Sequence, residues 1–149
     1  MLDQLITIDK LIFYFFNGVI ANSFFDIIMP IITNENIWAL PVILGLIYLL
    51  LKGGRRGQIT IIILIISCGL ADYSSASILK PFFERLRPSH EMLDGIRILM
   101  GKGGKYGFVS SHAANIFAAA VVLSYFYPSK KRVYFFIASM VAFSRVYIG

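Results

Sequence analysis

The sequence predicts an all-α fold, a polytopic bundle of transmembrane helices in one domain spanning residues 1–149. Three observations point there. A mean hydropathy of +0.76 with 58% apolar residues leaves too little polar surface to cover a soluble core of this size. The apolar residues gather in five runs, Leu11 to Thr33, Ile37 to Leu51, Ile59 to Leu79, Ala113 to Tyr127 and Val133 to Ile148. The basic residues are parcelled out between those runs instead of forming one tail or one polar face.

A membrane helix takes about 20 mainly apolar residues, within a range of roughly 17–25. The first and third runs meet that requirement directly, and the other three draw on flanking residues, which gives five spans. Ala21-Asn22-Ser23 faintly resembles a signal cleavage site, but Asp3 and Asp9 make the preceding segment acidic as well as basic, and the apolar run continues to Met29. An uncleaved first span is the better reading. Leu2, Leu5, Ile6 and Ile8 alternate with polar residues and suit a short helix at the membrane interface. Within the third run, Cys68 reads as a packed, inert thiol and Asp72 as a carboxylate hydrogen-bonded to a neighbouring helix. Between the third and fourth runs, Glu91 to Met100 carries apolar residues at helical spacing and predicts an interfacial helix. Gly101-Lys102-Gly103-Gly104-Lys105 lacks the residues of a nucleotide phosphate loop and reads as a flexible basic segment.

The net charge of +6, so distributed, fits membrane lipids and phosphate-bearing ligands and argues against nucleic acid. Alternation of five spans places Lys10, the Lys52–Arg56 turn and the Lys130–Arg132 turn on one side, and Thr33-Asn34-Glu35-Asn36, residues 80–108 and Arg145 on the other. Each side then carries seven basic residues, so charge counting alone gives a tie. The short loops have no ligand to balance their charge, which puts them in the cytoplasm and the 80–108 segment outside.

Three clusters beside the runs carry the chemistry. Lys80-Pro81-Phe82-Phe83-Glu84-Arg85-Leu86-Arg87-Pro88 ends the third run and pairs a mobile ammonium with a planar guanidinium fork suited to two phosphate oxygens. Taken alone, Lys80 or Arg85 is as well explained by reaching for lipid headgroups. Ser110-Ser111-His112 opens the fourth run, where a Ser cap and unpaired backbone N–H groups make an anion site and His112 could give a proton to an oxygen leaving that anion. Ser144-Arg145 closes the fifth run and adds a third cation. His90 follows Arg87-Pro88-Ser89 and reads as a solvated loop residue.

In order and spacing these clusters resemble the three-part signature of the type 2 phosphatidic acid phosphatase family: Lys-x6-Arg-Pro, Pro-Ser-Gly-His, and Ser-Arg-x5-His. The resemblance implies that Lys80, Arg87, Ser110, Ser111 and Arg145 bind phosphate and that His112 is the catalytic acid, with no metal and no cofactor. Two positions depart from the pattern. Val109 stands where the family has Pro, and Ser111 where it has Gly, a change that strains the backbone only at a positive φ. The third motif breaks off: its nucleophilic His would fall two residues beyond Gly149, with an Asp four residues later, and the expectation is of a sixth span there. The implied activity is hydrolysis of a lipid phosphate through a phosphohistidine, at the outer face of a bacterial inner membrane. The candidate substrates are lipid A 1-phosphate, which is weakly favoured, phosphatidylglycerophosphate and undecaprenyl diphosphate. A non-enzymatic channel, transporter or assembly subunit binding anionic lipid through the same cations is the rival class.

Overall fold

The computed structural model describes residues 2–90, 95–101 and 103–149. Six helices account for most of them: α1 Leu2–Tyr14, continued by a π-helical turn Phe15–Val19; α2 Ser23–Thr33; α3 Glu35–Lys52; α4 Gly54–Phe83, with a π-helical stretch Ser74–Leu79; α5 Ser111–Phe126; and α6 Lys131–Tyr147. The only strand-like feature among the described residues is an isolated antiparallel pairing of Leu86 with Tyr106. The all-α bundle expected from the sequence is what forms.

The solvent-facing side chains show why this bundle belongs in a bilayer. α3 has no buried residue, and Leu40, Leu44 and Leu51 on it are 63, 57 and 72% exposed. On α4, Ile62, Ile65 and Leu70 are equally uncovered. A helix that is apolar all round and left open by the protein needs lipid against it. α3 and α4 are joined by a tight turn in which Gly54 takes φ +55°. A Cβ on Gly57 would sit 3.0 Å from the Leu49 carbonyl carbon, so this close crossing depends on a small residue.

α4 packs most extensively on α5, and α5 on α6. Cys68 lies in the first of these contacts with its Sγ 3.7 Å from the Asn115 carbonyl oxygen, and Asn115 Nδ2 reaches Asp72 Oδ1 at 3.5 Å. The Asp72 carboxylate is thus bonded to the neighbouring helix. α2 lies on α6, where Met29, Tyr147 and Ile148 form the buried centre, edged by the rings of Phe25 and Phe143.

Two expectations about spans change. Glu35–Lys52 and Gly54–Phe83 are long and apolar enough to cross a membrane, and the first apolar run adds a third only as a bent pair, turning through 113° between Thr7–Val19 and Ser23–Thr33. The bend has a polar cause. Asn22 is extended and its side chain accepts from Phe25 N at 3.0 Å, starting a new helix. Buried Asn17 donates to the carbonyls of Arg97 and Tyr147 and accepts from Arg97 N, each at 2.8 Å. α5, at 16 residues, falls just short of a full crossing, and α6, at 17, stands at the lower limit. Ser110 caps one and Pro128 follows it, while Lys131 and Arg132 open the other.

The second correction concerns the N-terminus. Because the first run folds back, Asp9 pairs with Arg85, and α1 lies at the same end of the bundle as the 80–108 segment, not at the end of the Lys52–Arg56 turn. That turn does sit beside the 127–131 turn, with the Arg56 guanidinium 5.0 Å above the Tyr127 ring. The helix expected over Glu91 to Met100 lies partly outside the described residues; from Gly95 to Met100 the chain is a turn, irregular backbone and a bend, not a helix.

Candidate active site

Each cationic side chain is placed by a local device. Helix α4 runs through Lys80 and stops at Glu84, which adopts a left-handed conformation, φ 46°. Lys80 Nζ donates to Ser111 Oγ at 2.9 Å, tying the end of α4 to the start of α5. Beyond Glu84 the chain pairs with 105–107: Arg87 N donates to the Lys105 carbonyl at 3.0 Å and Gly107 N to the Arg85 carbonyl at 2.9 Å. Arg87 Nε donates to the Tyr106 carbonyl at 3.3 Å, and a Cβ on Gly107 would stand 2.9 Å from Arg87 Cγ. The Arg87 fork is therefore held by a backbone clamp that only glycine at 107 permits. Arg145, in the last turn of α6, donates through Nη1 to Thr33 Oγ1 at 2.9 Å.

At the head of α5, Ser110 has extended backbone angles and its Oγ accepts from Ala113 N at 3.4 Å. Ser111 and His112 then form the first turn, whose free N–H groups and helix dipole favour an anion. Ser111 is helical; among the described non-glycine residues only Glu84 has a positive φ. The exchange of Gly for Ser therefore costs no backbone strain here, and it supplies the hydroxyl that Lys80 uses. His112 Nε2 lies 2.5 Å from Glu35 Oε1, at the start of α3.

All six residues expected from the sequence, Lys80, Arg87, Ser110, Ser111, His112 and Arg145, line one cleft of about 500 Å³. All six are half-buried. Phosphate held there would meet three cations and a helix N-terminus, with an imidazole alongside. His90 does not join them; it is exposed, with Nε2 3.0 Å from the Gly103 carbonyl oxygen.

Four contributors escaped the sequence reading. Alternation of the spans puts Glu35 and Thr33 on the same side as the cations, but their contacts with His112 and Arg145 depend on how α2 and α3 meet the bundle. Asp9 reaches the cleft only because the first run bends, and Gly107 acts through space it leaves for Arg87. Beside the cleft, Arg97 pairs with Asp26, whose other oxygen accepts from the Tyr147 hydroxyl at 2.6 Å. The hydrogen bond it donates to Asp26 holds the Arg97 guanidinium above its ordinary pKa.

A family model described as PAP2 superfamily matches residues 59–149, the stretch that carries all six cleft residues. The chain belongs to the PAP2 superfamily. Two relatives match almost its whole length. A protein of Porphyromonas gingivalis named lipid A 4'-phosphatase is 29% identical over 154 residues, covering 99% of this chain and 65% of that one. A protein of Bacteroides thetaiotaomicron with the same name is 32% identical over 157 residues, covering 100% and 69%. This PAP2 chain thus spans about two thirds of the length of the curated relatives it matches. No solved structure matches it.

Proposed function

We propose that the intact protein is an integral membrane phosphatase that releases phosphate from a lipid, through a phosphohistidine and without a metal. The observation that carries this reading is the convergence of Lys80, Arg87, Ser110, Ser111, His112 and Arg145 on one cleft at one end of the bundle. The family supports it as well.

The chemistry follows from the arrangement. Lys80, Arg87, Arg145 and the N–H groups at the start of α5 hold the non-bridging oxygens and take up the charge that develops on them. A His carried beyond Gly149 attacks phosphorus in line, forming a P–N bond. The P–O bond to the lipid breaks, and its oxygen receives the proton from His112 Nε2. Water, giving its proton back to His112, then cleaves the P–N bond and releases inorganic phosphate. The three cations of the cleft are there to neutralise that charge, and Glu35 is directed at His112.

The lipid is proposed to be lipid A. The 1-phosphate is weakly favoured by the resemblance alone; the names of both relatives support the 4'-phosphate instead, and that position is the one we propose. We place the cleft on the periplasmic face of the inner membrane, because the Lys52–Arg56 and Lys130–Arg132 turns lie together at the opposite end.

The test uses the full-length protein in detergent with chelator present. Phosphate should be released from lipid A bearing a 4'-phosphate faster than from phosphatidylglycerophosphate or undecaprenyl diphosphate. A rapid quench into base should trap a labelled protein that loses its phosphate in acid, as a phosphoramidate does. An absolute requirement for added divalent metal, or full turnover by His112→Ala, would falsify the assignment.

A further inference from the structure

His112 and Ser111 stand between two cavities. The cationic cleft lies on one side; on the other is a second cleft of about 510 Å³ between α2, α3, α4, α5 and α6. That volume falls within the roughly 300–1,000 Å³ of small-molecule sites. The two differ in charge. Among the described residues, the second cleft is lined by no Lys or Arg, but by the carboxylates Glu35 and Asp72. Asn115 lies between them, and its Oδ1 is buried without a hydrogen-bond partner among the described residues. Trp38 forms part of the wall, its Nε1 donating to the Ile32 carbonyl at 2.9 Å, and Ile116 and Val141 complete the apolar surface.

We propose that this second cleft takes the sugar unit that carries the phosphate, so that the substrate lies across His112 with its anion on one side and its leaving alcohol on the other. The inference rests on the phosphatase reading above and deepens it. Two carboxylates and an amide oxygen are acceptors for sugar hydroxyl and amide N–H donors. The Trp38 indole and the branched aliphatic side chains offer a face for the ring. When the P–O bond breaks, phosphate stays among Lys80, Arg87 and Arg145, and the sugar oxygen leaves with the His112 proton into the acidic cleft. A diphosphate substrate would instead put its anionic leaving group against Glu35 and Asp72, which selects against it.

Trp38 is the single tryptophan of the 149 residues, and comparison with Trp38→Phe assigns its share of the emission, so occupancy of this cleft can be read without turnover. The full-length protein in phosphatidylcholine nanodiscs is titrated with a short-chain alkyl N-acetylglucosaminide and, separately, with inorganic phosphate. The glycoside should change tryptophan emission saturably, and the change should vanish in Trp38→Phe. Its dissociation constant should rise at least fivefold in Glu35→Gln/Asp72→Asn, and phosphate should not compete with it. In parallel, kcat/KM for lipid A 4'-phosphate relative to undecaprenyl diphosphate should fall at least tenfold in Asp72→Asn. No saturable change in the wild-type protein, or affinity and substrate ratio both unmoved by the substitutions, overturns the sugar site. The wild-type titration decides alone if a variant misfolds. Phosphate release without glycoside binding removes this inference only; glycoside binding with no phosphate release from any lipid removes the phosphatase reading.

Discussion

The two ends of the bundle carry basic residues in two different ways. At the turn end, Lys52, Arg55, Arg56, Lys130, Lys131 and Arg132 are all exposed. At the site end, Lys80, Arg87 and Arg145 are half-buried, and each is directed by a named acceptor: the Ser111 hydroxyl, the Tyr106 carbonyl and the Thr33 hydroxyl. Those acceptors are neutral. Carboxylates nearby are engaged elsewhere, Glu35 with His112 and Asp9 with Arg85. A group of cations ordered by neutral partners keeps its charge for an incoming anion, whereas exposed cations are screened by water and salt. A count of charges does not tell which end is built to hold an anion; the hydrogen bonds do.

Substitution at the site end should therefore produce the largest effects. Arg87→Ala and Arg145→Ala should each lower kcat about 10²–10³-fold, the usual cost of removing one preorganised donor at such a centre. His112→Ala should lose a comparable factor as the proton donor disappears. Thermal unfolding of the purified variants should remain near that of the parent, because none of the three side chains belongs to the buried centre around Met29 and Tyr147. A loss of fold matching the loss of turnover would erase the contrast between the two ends.

Next comes Gly107→Ala. The added Cβ would stand 2.9 Å from Arg87 Cγ and 3.1 Å from its Cα, so the guanidinium must move. We expect roughly a tenfold fall in kcat/KM, consistent with displacement rather than removal of a charge. Gly104→Ala is the control, since nothing lies within 4 Å of a Cβ there. Equal effects from both substitutions would show that the loop matters for flexibility and not for aiming Arg87.

These two sites also show what the sequence could reveal. The spacing of Lys80, Arg87, Ser110, His112 and Arg145 is a one-dimensional pattern, and their convergence follows once α4, α5 and α6 pack side by side. The Ser110 cap was legible for the same reason, being a local backbone event. Glu35 was not, because nothing in Asn34-Glu35-Asn36 says that α3 begins within reach of His112. Nor was the fold-back of the first run, although its signal was present. Asn17 and Asn22 interrupt a mainly apolar stretch, and in lipid such side chains must find partners. Hydropathy averaged over the run hides two polar residues that decide its path.

Asn17→Leu tests that fold-back directly. The substitution removes bonds to the carbonyls of Arg97 and Tyr147 and leaves the Arg97 N–H without its acceptor. Buried groups stripped of a partner cost about 1–3 kcal/mol. The melting temperature should drop by several degrees and α1 should become accessible to protease, with turnover falling less than in the cation variants. An unchanged melting temperature would mean that the bend is held by other contacts.

The smaller effect at the site end is expected from Thr33→Val. Arg145 keeps its charge but loses the acceptor 2.9 Å from Nη1, and a neutral hydroxyl replaced by an isosteric methyl removes direction only. About a three- to tenfold rise in KM with kcat little changed is expected, from a hydrogen bond to a charged group worth roughly 1.5–3 kcal/mol of which the substrate restores part. A fall in kcat as large as that of Arg145→Ala would mean that Thr33 itself meets the reacting phosphate.

The least effect should come from the turn end, and it is informative for that reason. Arg55→Gln/Lys131→Gln should change turnover by less than twofold, because both side chains are exposed and far along their helices from the cleft. The same pair should nonetheless influence orientation. Moving Lys10 to the site end leaves fewer basic residues at the turn end, so a raw count would send the turn end outward. The rule acts through short loops beside the spans, and the Lys52–Arg56 and Lys130–Arg132 turns are both of that kind. Removing two charges from them should raise the fraction of inverted molecules, read by labelling a cysteine placed at Ser129 from outside the cell. Unchanged labelling with all six turn charges replaced would show that orientation is set by the folded site end instead.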